Sequence, residues 1–246
     1  MKIEKVLQLI EQHAPSVEYE PSIFFGSERE SITGIGVCVD PTKDVIRKAK
    51  RKGIDMLVSH HYPSERSSKY ASERGVYAIV THLRQDVAPQ GNIETFAELI
   101  GLESIEPFTI RYKKMVVPNG AVTGDFGGYY GHRSMRSVKE ILLRVLKGYG
   151  LKPKIKVFLA RKNDAVISRA GVTTGAAIKP EFLEQITERN IDTYIAAEME
   201  QPAVMVAKEL GINLIDVGHY ETEVPGMKRL AKKLGAEFIP NGYKFV

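Results

Sequence analysis

Apolar and polar residues alternate along this chain in two rhythms, one of about 3.6 residues and one of short continuous runs. Ile3, Val6, Leu7 and Ile10 recur at helical spacing, which predicts a helix over residues 2–12 that stops before Pro15. Ile32–Asp40 predicts a strand, with Pro41 in the first turn of the helix that follows. That helix, over 42–52, turns Val45, Ile46 and Ala49 inward and ends at Gly53. The run Ile54–Tyr62 (IDMLVSHHY) predicts the next strand, and strand–helix–strand implies a parallel pair. Tyr62–Gly75 is polar and predicts a loop with at most one helical turn, either a lid beside the paired histidines or a plain surface loop. Val76–Leu83 predicts a further strand. Gly91-Asn92 then opens a helix that places Ile93, Phe96, Ala97 and Ile100 on one face and closes at Gly101.

Near Glu103–Phe108 the rhythm changes. Residues 108–130 alternate, contain four glycines after Asn119, and predict strands joined by turns. A lobe boundary is placed here, giving lobes 1–105 and 106–246, with the C-terminal segment able to pack back on the first lobe. In the second half Ser137-Val138-Lys139-Glu140 reads as a capping box, and Val138, Ile141, Leu142 and Val145 form the stripe of its helix. Strands are expected over 154–160 and 166–172, and a helix over 180–189 after Lys179-Pro180. A strand over Ile191–Glu198 follows, then a helix over 201–210 stopped by Gly211. Asn213–Tyr220 predicts another strand. Thr222 would cap a last helix with Met227, Leu230, Ala231 and Leu234 inward, before a closing strand over Ala236–Pro240. The fold class is α/β: two lobes with mixed, largely parallel sheets flanked by helices.

With 246 residues, 43% hydrophobic and 26% charged, the chain can bury a large core and has the composition of a soluble globular protein. Its one cysteine, Cys38, excludes an intrachain disulfide and a thiolate-rich zinc site, and its apolar surroundings (GIGVCVD) suit a buried inert thiol. The charged start lacks the uninterrupted apolar segment of a signal peptide, and no apolar stretch is long enough to span a bilayer. A reducing cytoplasm without membrane association is the expectation. The net charge of +5 raises nucleic acid as a partner. Its basic residues are dispersed over Arg47–Lys52, Arg111–Lys114, Lys152–Lys156 and Lys228–Lys233, with no zinc finger, RNP aromatic motif or KH loop beside them. They fit solvated helix faces, a polyanion groove, or a surface for a phosphate-bearing small substrate.

Candidate chemistry collects at the predicted strand ends, where α/β sheets gather their ligands. His60 and His61 close one strand. Neighbouring residues on a strand point to opposite faces, so both rings reach one centre only if the chain bends there. Side by side they suit two adjacent metals, or one metal and one hydrogen bond. His82 and Asp86 follow a second strand, and His219 follows a third with Glu223 opening the helix next door, the two bracketing a tight turn. Four of the six histidines fall in these three places, a bias that chance explains poorly. Mixed imidazole and carboxylate ligands without thiolate suit zinc, iron(II), manganese(II) or nickel.

The segments SHHYP, THLRQDVAPQGN and LIDVGHYETE, in this order and at these separations, resemble the three signatures of the NIF-three-like family, also known as type 2 homologues of GTP cyclohydrolase I. GHYETE keeps the family's GHY-x-TE pattern and is the most specific of the three. VCVDPTKDVIRKAKRKGIDMLVSHH and IDTYIAAEMEQPAVMVAKELGINLIDVGHYETE extend the likeness over most of the chain. Departures lie at Pro21–Glu28, where PSIFFGSE replaces a DNVGLQVG-like stretch, and at Tyr62, which intervenes before the usual proline. The resemblance implies the NIF-three-like fold and two divalent ions per chain (zinc, iron or manganese). His61 and Asp86 would bind one, His60 and His219 the other, with Glu223 bridging and His82 nearby as an acid–base group. It also implies a homo-oligomer, a toroidal hexamer with the metal sites facing an internal cavity. A metal-dependent hydrolase acting on a nucleotide, phosphoester or cyclic amide is the function expected, with Glu223 and His82 as catalytic residues. The alternatives are a metal-stabilised regulatory scaffold that binds nucleic acid or protein, and a metal-storage or metal-delivery protein.

Overall fold

A computed structural model describes residues 1–126, 133–160 and 166–243. The chain groups into two units, Met1–Gly91 with Gly226–Val246, and Asn92–Pro225. The first break thus falls at 91/92 and not at 105/106, because the helix that begins at Asn92 buries Ile93, Phe96, Ala97 and Ile100 in the core of the second unit.

In the first unit, α1 (Ile3–His13), β1 (Ile23–Gly26), β2 (Ile35–Cys38), α2 (Lys43–Arg51), β3 (Met56–Ser59), α3 (Glu65–Glu73), β4 (Tyr77–Val80) and α4 (His82–Val87) follow in order. The sheet runs β1-β4-β3-β2 and then the closing strand Glu237–Phe238; all neighbours are parallel except β1 on β4. Val45, Ile46 and Ala49 of α2 pack with Cys38, Leu57, Ala78 and Ile239 in its core. Thr42 caps α2 by accepting the amide of Val45, so Pro41 stands ahead of the cap and not in the first helical turn. The segment expected to be a loop is α3: Ser64 accepts the amide of Ser67 at its start, and Ser67 and Ala71 are its buried residues. Its inward face is small and partly polar, so apolar periodicity could not reveal it, and a packed helix takes the place of the expected loop. Nor did the pattern reveal β1, whose four residues pair along the sheet edge and bury Phe25.

The second unit contains α5 (Asn92–Leu99), β5 (Leu102–Tyr112), β6 (Met115–Phe126), β7 (Arg133–Ser134), α6 (Met135–Gly148), β8 (Lys156–Phe158), β9 (Val166–Ile167), β10 (Ala170–Val172), α7 (Pro180–Thr187), β11 (Thr193–Ala196), α8 (Gln201–Leu210), β12 (Asn213–Asp216) and the start of α9 (His219–Lys233). The order β5-β6-β10-β11-β12-β8 has parallel pairs only in its centre, so "largely parallel" describes the first sheet and not this one. The alternation after residue 108 is the long β5–β6 hairpin; its expected continuation over 127–130 lies outside the described residues. The expected strand over 166–172 divides: β9 pairs with β7, and β10 enters the main sheet. The cap of α6 is Ser134, three residues earlier than the expected capping box, with its Oγ 3.2 Å from the amide of Ser137.

Candidate metal centre

In the first unit, β3 ends at Ser59 and the chain bends through His60 and His61, whose amides donate to the carbonyl of Val39 at 3.2 and 3.0 Å. The bend brings the two rings to a centroid separation of 4.7 Å. His82 opens α4 instead of ending a strand, and its ring lies 5.1 Å from His60 and 5.8 Å from His61. One ligand atom from each of His60, His61 and His82 lies within 4.8 Å of the others. Asp86 is one helical turn beyond His82, and its Oδ1 is 3.6 Å from Nε2 of the fully buried His60. Arg84, between them, fixes the helix: its Nε donates to the carbonyl of Ala14 and its Nη2 to Glu11 of α1.

Carboxylates hold these rings from behind. Nδ1 of His61 lies 2.7 Å from Asp40, which follows β2, and Nδ1 of His82 lies 2.9 Å from Glu20. An ionised carboxylate only accepts, so each of these rings donates from Nδ1 and turns its Nε2 away from the carboxylate. Burial works against the charged form of His82, but the Glu20 hydrogen bond and the charges of Asp86 and Glu20 outweigh it and raise its pKa. Burial would raise the Glu20 carboxyl, yet hydrogen bonds from His82 and Tyr62 and the His82 charge hold it below the ordinary range. Tyr62 donates its hydroxyl to Glu20 at 2.8 Å; burial and that carboxylate push its pKa up to about 12.

In the second unit, His219 and Glu223 do not bracket a turn: both lie in the first turns of α9, one helical turn apart, with Nε2 of His219 2.9 Å from Oε1 of the buried Glu223. Thr222 is inside this helix and is not its cap; its hydroxyl donates to the carbonyl of His219 and accepts the amide of Gly175. Glu198, just past β11 and at φ +59°, holds Nδ1 of His219 at 2.5 Å. Gly175, at φ +70°, leaves open the space in front of the pair: a Cβ there would lie 3.0 Å from Oε1 of Glu223 and 3.2 Å from Nε2 of His219.

The structure places His60, His61, His82 and Asp86 in the first unit, and His219 and Glu223 in the second. The donors are imidazole and carboxylate, several imidazoles are oriented by a carboxylate on Nδ1, and a glycine keeps the His219–Glu223 pair clear. Donors of this kind could hold a metal ion. Sequence reading missed Glu20, Asp40, Glu198 and Gly175. Asp40 and Glu198 carried a signal, each being an acidic residue closing an apolar strand run; Glu20 carried none. The i,i+4 spacings 82/86 and 219/223 were a further signal, visible only to a helical reading.

Known proteins bear the same arrangement of chain. A GTP cyclohydrolase 1 type 2 homolog of Methanocaldococcus jannaschii is 25% identical over 96% of this chain and 96% of its own length. The homolog of Pyrococcus abyssi is 27% identical over 97% and 95%. Among solved structures, reduced HcgD from Methanocaldococcus jannaschii matches with a TM-score of 0.79 at 24% identity over 99% of this chain and 98% of that one. The Bacillus cereus protein related to NIF3 matches with a TM-score of 0.79 at 14% identity, covering 100% and 99%; at such identities the fold is what is shared. These structures bear out an α/β protein with two mixed sheets flanked by helices. The profile of Duf34/NIF3 (NGG1p interacting factor 3) matches residues 1–245, and with the motifs SHHYP, THLRQDVAPQGN and GHYETE on two candidate ligand sets, the chain belongs to the Duf34/NIF3 family.

Proposed function

We propose that this protein is a metal-dependent hydrolase in which His60, His61, Asp86, His219 and Glu223 hold two divalent ions. The observation that carries the reading is the carboxylate behind each of His61 and His219: Asp40 and Glu198 fix Nδ1 as the protonated nitrogen and aim Nε2 as the ligand. The resemblance pairs Asp86 with His61 on one ion and His60 with His219 on the other, and the 3.6 Å approach of Asp86 Oδ1 to His60 Nε2 supports Asp86 as a member of the same ligand cluster. The reading joins ligands of both units about one pair of ions, and this joining is part of what is proposed. Bound there, such ions supply a hydroxide near neutral pH and stabilise a developing oxyanion.

The chain's own residues do the rest. Glu20 holds Nδ1 of His82, so that Nε2 of His82 can carry a proton to a leaving group. Tyr62 keeps Glu20 in place and lies with its ring 5.5 Å from that of His82, which narrows the approach to it. A nucleotide, a phosphoester or a cyclic amide is the substrate class; the name of the relatives supports the first and last. The same reading includes a homo-oligomer, a hexamer by family resemblance, which light scattering would measure.

Elemental analysis of protein purified without chelator tests the site, with about two ions per chain expected. A hydrolase screen with Glu223→Gln then tests the reaction. Turnover lost while the fold and the melting temperature persist is the expected result. Two bound ions without turnover on any substrate class would favour the scaffold or the metal-delivery alternative, and no bound metal under any condition would sink the catalytic reading.

A further inference from the structure

We propose that α2 and α3 form a second, separate binding site, for a small ligand carrying two or more consecutive phosphates. Arg47, Lys50 and Arg51 of α2 line a cleft of about 330 Å³ together with Tyr70 of α3 and Arg74, the residue that ends it. The spacing 47/50/51 puts three cations on one face of α2, and 70/74 aims two residues of α3 at the same space. The cleft has the volume of a small-molecule site, and no carboxylate is among the residues that line it.

Helix dipoles account for some of these charges, since cations favour the last turn. They do not account for four cations from two helices lining one concavity. Arg47 is relieved by Asp44 at 2.5 Å, which also holds Lys48. Among the described residues Lys50, Arg51 and Arg74 have no carboxylate within ion-pair distance. Arg74 is nonetheless placed: its guanidinium lies over the Tyr70 ring, 5.0 Å from the centroid, with Lys43 5.7 Å from the same ring. A guanidinium is a planar fork of donors, which matches phosphate oxygens. One phosphate brings a charge of about −2 at most, so three cations without partners call for a second.

The site is at the other end of the first unit's sheet from the histidines. Arg51 and Arg74 precede the starts of β3 and β4, whereas His60 and His82 follow their ends. A strand of four residues separates the two ends by roughly 13 Å, so the two sites can be tested apart.

Calorimetric titration of the full chain with inorganic tripolyphosphate, inorganic phosphate and a single-stranded oligonucleotide, each at low and high salt, tests this. Tripolyphosphate should bind with a Kd below about 1 mM at low salt, and orthophosphate more weakly. Binding should weaken by about tenfold or more in the double variant Arg51→Gln/Arg74→Gln, and remain in His60→Ala. Should the double variant fail to fold by circular dichroism, Lys50→Gln replaces it, with a smaller loss in the same direction. Tripolyphosphate binding that is lost in His60→Ala and kept in the arginine variant would place the anion on the metal centre and overturn the proposal. So would no binding at millimolar ligand, or an arginine effect confined to the oligonucleotide, which would make the cleft part of a nucleic-acid surface.

Discussion

Gly175 and Glu223 are matched so closely that the first substituent carbon on the glycine would stand 3.0 Å from the carboxylate oxygen that faces His219. The backbone at Gly175 is also left-handed, at φ +70°. Gly175→Ala should therefore do two separable things. Strain costs about 1–3 kcal/mol of stability, and crowding of the pair lowers the metal retained per chain. Gly53→Ala is the control: φ is +72° but a Cβ there meets nothing within 4 Å, so urea midpoints should fall in both variants while metal content falls only in the first. Equal metal content in the two would remove Gly175 from the site.

The carboxylates behind the histidines give a second test. Asp40→Asn and Glu198→Gln keep the shape of each side chain but weaken its grip on Nδ1 of His61 and His219. Metal affinity should fall by about 10–100-fold in each, read by competition with a chromophoric chelator. Unchanged affinity in both would mean that the orientation of these rings is incidental.

Asp55 predicts the acid limb of stability. It is buried and accepts hydrogen bonds from the Thr33 hydroxyl at 2.7 Å and from the amides of Thr33 and Gly34, with Arg29 3.6 Å away. Burial alone would raise its pKa, but these hydrogen bonds and the Arg29 charge hold it below the ordinary value. A depressed folded-state pKa gives stability that is fully present above the unfolded value, near about 3.9, and is lost as pH falls through the folded one. Asp55→Asn should cost about 1–3 kcal/mol at pH 7, and the gap to wild type should shrink below about pH 4. Denaturant midpoints against pH measure this, and a gap that does not change with pH would show that packing, not charge, is what the substitution removed.

Ser134 and Ser137 separate two caps for α6. Ser134→Ala removes the acceptor of the Ser137 amide and should cost about 1 kcal/mol. Ser137→Ala loses a hydroxyl that donates to the carbonyl of Ser134, a contact local to one turn, and should cost less. The reverse order in thermal melts would restore the capping box at Ser137.

The sequence by itself determined the strand–helix rhythm, because β2, β3, β4, β11 and β12 are apolar runs buried on both faces and α2, α5, α8 and α9 carry their core residues at helical spacing. It also marked six candidate site residues, since imidazoles and carboxylates that follow apolar runs need no long-range information to be noticed, although His82, Asp86, His219 and Glu223 stand on the helices after those runs. Helix α3 and strand β1 escaped because a small polar inward face and a short edge pairing leave no periodic trace. Three decisions belonged to the tertiary structure alone. Packing of Ile93 and Phe96 assigned α5 to the second unit, pairing of Glu237–Phe238 with β2 returned the C-terminus to the first, and Glu20 reached His82 across 62 residues. Each rests on a contact between residues distant in the chain, and neither local propensity nor spacing along the sequence encodes which distant residue will arrive.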